Sequence, residues 1–162
     1  MSFKLESACF EPVHSTGEPA VRHAVITEDS ITQLVTVFYT TIQTHPRLGP
    51  IFQRRLEGKW DEHLRKMVLF WQAVLLKNGA YKGKPVPAHL KLKEIIGDDF
   101  HEWLSVFRPV ASELFEPESA GEIIATAERI AQSLWLAMFG TPGSAPPPEL
   151  SSIKCSSGAR HA

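Results

Sequence analysis

Cysteine is scarce, long apolar runs are missing and neither sign of charge prevails, and each absence closes off a class of function. The two cysteines, Cys9 and Cys155, stand near opposite ends of a 162-residue chain. They can pair only by bringing both ends together, so neither a disulfide framework nor a Cys-based zinc site is expected. No run approaches the roughly 18 consecutive apolar residues of a membrane span. The first twenty residues, with Glu6, Glu11, Pro12 and Pro19, lack a secretory apolar region, and a cytoplasmic protein is expected. Lys plus Arg total 17 against 18 Asp plus Glu. No general field therefore favours nucleic acid or an anionic membrane, and such partners need a local basic patch. His14, His23, His45, His101 and His161 show no metal-ligand spacing with one another, and no phosphate loop, nucleophile elbow or catalytic triad is visible.

What is present is helical. A chain 43% hydrophobic and 22% charged can enclose one core with room for a cofactor-sized cavity. Ile31, Leu34, Val35, Phe38, Tyr39 and Ile42 recur at helical spacing after the candidate N-cap Thr27, predicting a first helix over about 28 to 44. His45-Pro46 stops it, and Leu48-Gly49-Pro50-Ile51-Phe52 reads as a short turn. The second helix, near Asp61 to Lys77, carries Leu64, Met67, Val68, Trp71, Val74 and Leu75 on one face. The third follows Asp98 and Asp99, either of which can cap it, and buries Phe100, Trp103, Leu104, Phe107 and Leu114, with Pro109 as a candidate kink. The fourth runs from about Ser119 to Phe139 with an almost unbroken apolar face. Four helices and no convincing strand define an all-α domain over 26–139. A mostly irregular extension is expected at 1–25, and a Pro/Gly/Ser-rich disordered tail at 140–162.

Two features ask for more than a core. His63, Met67, Phe70 and Val74 form a second stripe on the second helix, so an ionisable group heads a mostly apolar ridge. Between the second and third helices lies a connector from Asn78 to Gly97, whose Gly79, Gly83, Pro85 and Pro87 forbid a long helix. Its anchors Tyr81, Val86, Leu90, Leu92, Ile95 and Ile96 show that it is packed. His89 sits in its middle. A pentacoordinate haem needs one neutral imidazole on one side of its iron, apolar walls and a few donors over the open face. His89 can supply the first; Tyr39, Trp103 or a suitably tautomerised His63 can supply the donors. Phe52, Met67, Phe70, Phe100 and Phe107 can supply the walls. Read alone, a histidine such as His89 is more often a structural or surface residue, and Tyr39 and Trp103 can be ordinary core aromatics.

The ordered set of motifs reverses that balance. Phe38-Tyr39, Leu48-Gly49-Pro50-Ile51-Phe52, the His63 helix ending in Phe70-Trp71, and Tyr81-Lys82-Gly83 followed by Ala88-His89-Leu90-Lys91-Leu92 resemble, in order and spacing, the group III truncated haemoglobins. Phe100 to Phe107 and Ala127-Glu128-Arg129-Ile130-Ala131 extend the resemblance over about 110 residues, from Ile26 to Phe139. It implies a two-on-two helical sandwich around a haem b, with His89 as the proximal iron ligand. Tyr39, His63 and Trp103 become the distal residues, and Phe52 packs on the haem face. It also implies binding of oxygen, nitric oxide and carbon monoxide, with nitric oxide dioxygenase or peroxidase activity served by an external reductase, and neither nucleic acid nor a membrane as partner. Because His63 begins its helix, it is expected nearer solvent than Tyr39 and Trp103, acting more as a gate. The competing reading is a cofactor-free helical interaction module whose central connector binds a partner.

Overall fold

A computed structural model describes residues 21–152; Cys9, Cys155, most of the 1–25 extension and the end of the 140–162 tail lie outside the described residues. Six α-helices follow one another: α1 Glu28–Thr44, α2 Leu48–Leu56, α3 Trp60–Leu76, α4 Pro85–His89, α5 Asp99–Leu114 and α6 Pro117–Phe139. A single 3-10 turn, Pro148–Leu150, comes last.

The start of α1 is set by chemistry at Thr27. Its hydroxyl accepts from the Ser30 N–H at 3.2 Å, while the Ser30 hydroxyl oxygen accepts from the Thr27 N–H at 2.8 Å. This reciprocal box satisfies two N–H groups that the first helical turn cannot. The apolar stripe Ile31, Leu34, Val35, Phe38, Tyr39 and Ile42 then lies wholly buried. Leu48-Gly49-Pro50, expected as a turn, instead opens α2. Pro50 lacks an N–H only where the helix would leave one unpaired. Gly49 lets α2 start hard against the end of α1, because a Cβ there would lie 2.7 Å from the Gln43 carbonyl oxygen.

The four long helices make two packed pairs, α1 with α3 and α5 with α6, and α1 lies on α5 to join them. The core sits in that junction. Ile31, Leu34, Ile42, Leu104, Phe107, Ala111, Ile123 and Ala127 are all completely buried there. Pro109 lies inside α5 without ending it. At the head of α5 neither Asp98 nor Asp99 caps through its side chain in the expected way. The Asp99 carboxylate instead accepts from the Ile96 N–H and from both Nε and a terminal nitrogen of Arg47, at 2.8 to 2.9 Å. Burial raises the Asp99 carboxyl, and these bonds more than offset it, holding the group below the usual carboxylate range.

Both ends of the described chain return to the domain. His23 donates its backbone N–H to the Leu114 carbonyl oxygen and accepts from the Glu116 N–H, closing a one-residue bridge to Phe115. The disordered tail expected from 140 onwards does not begin there. Leu150 is 1% exposed. The Glu149 carbonyl accepts from Arg108, the Leu150 carbonyl from Gln132, and the Ser152 hydroxyl donates to Glu128, which is itself paired with Arg108. Composition alone misleads here, because a proline-rich strap needs few apolar residues to dock when its carbonyls meet side chains waiting on α5 and α6.

Candidate functional site

The buried face of α1 continues into a polar-tipped cluster where α1, α2 and α3 meet. Tyr39 is 5% exposed, and its ring stands 5.1 Å from His63 and 5.8 Å from Phe52, edge to face with both. Burial without a charged neighbour pushes the Tyr39 phenol well up, so it remains a neutral donor at any physiological pH. His63 comes from the first turn of α3, where its N–H bonds to the Lys59 carbonyl. As a residue His63 is only half-buried where Tyr39 is buried, in line with its place at a helix start, yet its Nε2 is buried and has no hydrogen-bond partner, the one side-chain nitrogen or oxygen in that state among the described residues. Burial, then the charges of Lys66 and His89, lower its pKa from 6.5 to about 4.

His89 ends α4. Pro85 begins that helix, its missing N–H costing nothing at the first position, and one turn later its carbonyl oxygen accepts from Nδ1 of His89 at 2.7 Å. That bond assigns the proton to Nδ1 and leaves Nε2 with a free lone pair. His89 is half-buried. Two imidazoles from elements on either side of Asn78–Lys84 are therefore close enough for the charge of one to depress the other.

The remaining site residues are brought together unevenly. Phe38 is the hub: its ring lies 5.0 Å from Tyr39, 5.3 Å from Trp103 and 5.2 Å from Phe107. Trp103, Phe107 and Trp71 form a continuous stack, with 5.0 Å between successive rings. Trp103 thus reaches the Tyr39–His63 pair through Phe38 rather than by a ring contact of its own. Phe70 packs edge-on against Tyr81 of the connector at 5.3 Å, and Phe100 lies 6.3 Å from Phe139. Met67 and Phe52 are partly buried against the same core. Sequence reasoning missed three contributors: Pro85 as the partner of His89, Phe38 as the aromatic hub and Trp71 as the base of the stack. The apolar stripes already contained the last two, but nothing in the residue string points to a carbonyl.

An imidazole whose lone pair is freed by a carbonyl bond, together with a second imidazole packed on a phenol and apolar rings, in two helix pairs joined through one contact, is a frame that fits a truncated globin. No family model matches the chain. It is 31% identical over 114 residues to the group 3 truncated haemoglobin ctb of Campylobacter jejuni, which takes in 68% of this chain and 90% of that protein. The crystal structure of a group III truncated haemoglobin from Campylobacter jejuni superposes with a TM-score of 0.70 at 29% identity, covering 74% of this chain and 96% of the other. The chain belongs to the group III truncated haemoglobins.

Proposed function

We propose that the protein binds a haem b between α3 and the His89 connector and takes oxygen and other diatomic gases at its iron. The observation that carries this is the pair of histidines. His89 presents a lone pair that its Pro85 bond leaves free, and His63 Nε2 is buried unpaired, which costs about 1 to 3 kcal/mol unless something fills the space beside it. A purely structural contact has no reason to retain a buried unpaired imidazole nitrogen, so the residues fit the group, and a cofactor-free interaction module leaves that atom unexplained.

His89 Nε2 is the iron ligand, with the Pro85 carbonyl fixing its tautomer and ring orientation. Phe52, Met67, Phe70, Phe100, Trp103 and Phe107 form the walls. Bound haem supplies an iron centre that holds a diatomic molecule and draws electron density onto it. Tyr39 would offer a hydroxyl held neutral by burial as a hydrogen-bond donor there, and His63 would stand beside it as a neutral ring. Hydrogen bonds made there would be strengthened by the surrounding apolar rings. A non-covalently held haem b is favoured by a sequence without a Cys-x-x-Cys-His attachment motif. Nitric oxide dioxygenation or peroxidase turnover at this site draws its electrons from outside, because the chain has no flavin or nicotinamide motif.

Absorption spectra of haem-loaded protein in ferric, ferrous and carbonyl states test the reading, together with His89→Gly. The expected result is a haem spectrum with an open or water-filled sixth position. His89→Gly is expected to lose haem stably held and to regain it with added imidazole. Full haem retention with an unchanged ferrous spectrum in that variant rejects His89 as the ligand.

A further inference from the structure

The chain is nearly neutral as a whole, yet its charge is unevenly placed. From Lys77 to Lys93 there are five lysines, Lys77, Lys82, Lys84, Lys91 and Lys93, and no acidic residue. All five are exposed, and none joins an ion pair among the described residues. The acids that follow are already engaged. Glu94 is paired with Arg55, whose hydrogen bonds hold its carboxyl down to about 2, and Asp99 is paired with Arg47, so Asp98 alone is left exposed there. Lys82 and Lys84 precede the five-residue α4 and Lys91 and Lys93 follow it, so chain geometry keeps these four within roughly 15 Å of His89.

The middle of this collar is apolar. Leu90 is 54% exposed and Ile96 53%. Beside them an open hollow of about 180 Å³ is lined by Leu90, Leu92, Lys93, Ile95, Met138 and Phe139. A solvated loop has no use for two exposed large aliphatics next to a hollow, whereas a small docking patch is built this way, with an apolar centre and a charged rim.

We propose that this lysine collar around His89 is the docking surface for an acidic, one-electron carrier protein. Two things favour that occupant. The collar flanks along the chain the residue read above as the iron ligand, so the inference rests on that reading, and a partner seated here lies close to that residue. The chain has no redox motif of its own, so a ferric centre needs an external electron. The carrier loses one electron, becoming oxidised by one, and the ferric centre becomes ferrous, with no bond made or broken. Encounters of this kind use small interfaces steered by opposite charge. Phosphates of nucleic acid have nothing to place against Leu90 and Ile96. A membrane surface asks for a long amphipathic face, and α4 has five residues.

The probe is an acidic [2Fe–2S] ferredoxin of the plant type, added to the haem-loaded, isotope-labelled chain and to a variant carrying Lys82→Glu, Lys84→Glu, Lys91→Glu and Lys93→Glu. Backbone shifts are expected to cluster on residues 82–96. The affinity should fall on the order of tenfold in the variant, and similarly between about 20 mM and about 200 mM salt. Haem retention and reduction by dithionite should stay as in the unaltered chain. Ferredoxin shifts elsewhere on the surface, or binding indifferent to the four changes, overturn the proposal. So does haem loss in the variant, because the lysines then serve the haem's own carboxylates. Binding to phosphatidylserine vesicles or duplex DNA without binding to ferredoxin overturns it equally. A chain that takes up no haem sinks the reading of His89, while the ferredoxin shifts still decide the surface.

Discussion

Lowering the pH isolates the energetic consequence of burying His63. In the unfolded chain its imidazole titrates near its ordinary value of 6.5, and in the fold near 4, through burial first and then the charges of Lys66 and His89. Above 6.5 both states hold a neutral ring, and the protein has its full stability. Between 6.5 and about 4 the unfolded chain takes up a proton that the native ring refuses, so stability falls as the pH falls. Below about 4 both states are protonated and the loss stops. The gap is worth at most about 3 kcal/mol, and because solvent reaches part of the ring, about 2 kcal/mol is expected. The assay is urea unfolding followed by tryptophan fluorescence at about pH 7 and about pH 4.5, for the unaltered chain and for His63→Leu. Subtracting the variant removes the other histidines and the carboxylates. His63→Leu should be at least as stable at neutral pH, since it deletes an unpaired buried nitrogen. It should also lose about 2 kcal/mol less on acidification. Equal acid losses in both chains, or a ring that titrates by NMR near its ordinary value, refutes the reasoning.

Four further outcomes are expected. Tyr39→Phe removes the buried hydroxyl beside His63 and should speed oxygen release by roughly ten- to a hundredfold in stopped flow, from a lost hydrogen bond of about 1 to 3 kcal/mol. Trp103→Phe should have a smaller effect, since Trp103 touches the cluster through Phe38; a larger effect from Trp103 than from Tyr39 inverts the roles assigned here. Phe107→Ala removes a fully buried ring stacked between Trp71 and Trp103 and should cost about 3 to 5 kcal/mol in chemical denaturation; a loss below about 1 kcal/mol means the stack repacks without strain. Leu150→Ala should cost about 2 to 5 kcal/mol, and no change in stability there means that the strap after α6 contributes nothing to the fold.

The residue string determined the helices that have strong periodicity and a stop. Thr27 marked the start of α1, and the stripes through Phe38 and Tyr39, Trp71, Phe107 and Ala127 named the buried faces, because period and capping are local properties. It also put His63 and His89 forward, since a histidine on an apolar ridge or in a packed, glycine- and proline-bounded connector stands out. Tertiary contact decided the rest. Leu48-Gly49-Pro50 became a helix because Gly49 can press against the Gln43 carbonyl. The Nε2 of the half-buried His63 is closed off because its ring lies beside Tyr39 of α1 and Phe52 of α2. The Nδ1 proton of His89 is set by a carbonyl four residues earlier, which any residue type could have supplied. The segment after α6 stayed ordered because Arg108, Glu128 and Gln132 from two other helices meet its carbonyl and hydroxyl groups. Sequence pattern fixes which face a helix buries; which single atom is left unpaired, and which is bonded, depends on what the other elements place beside it.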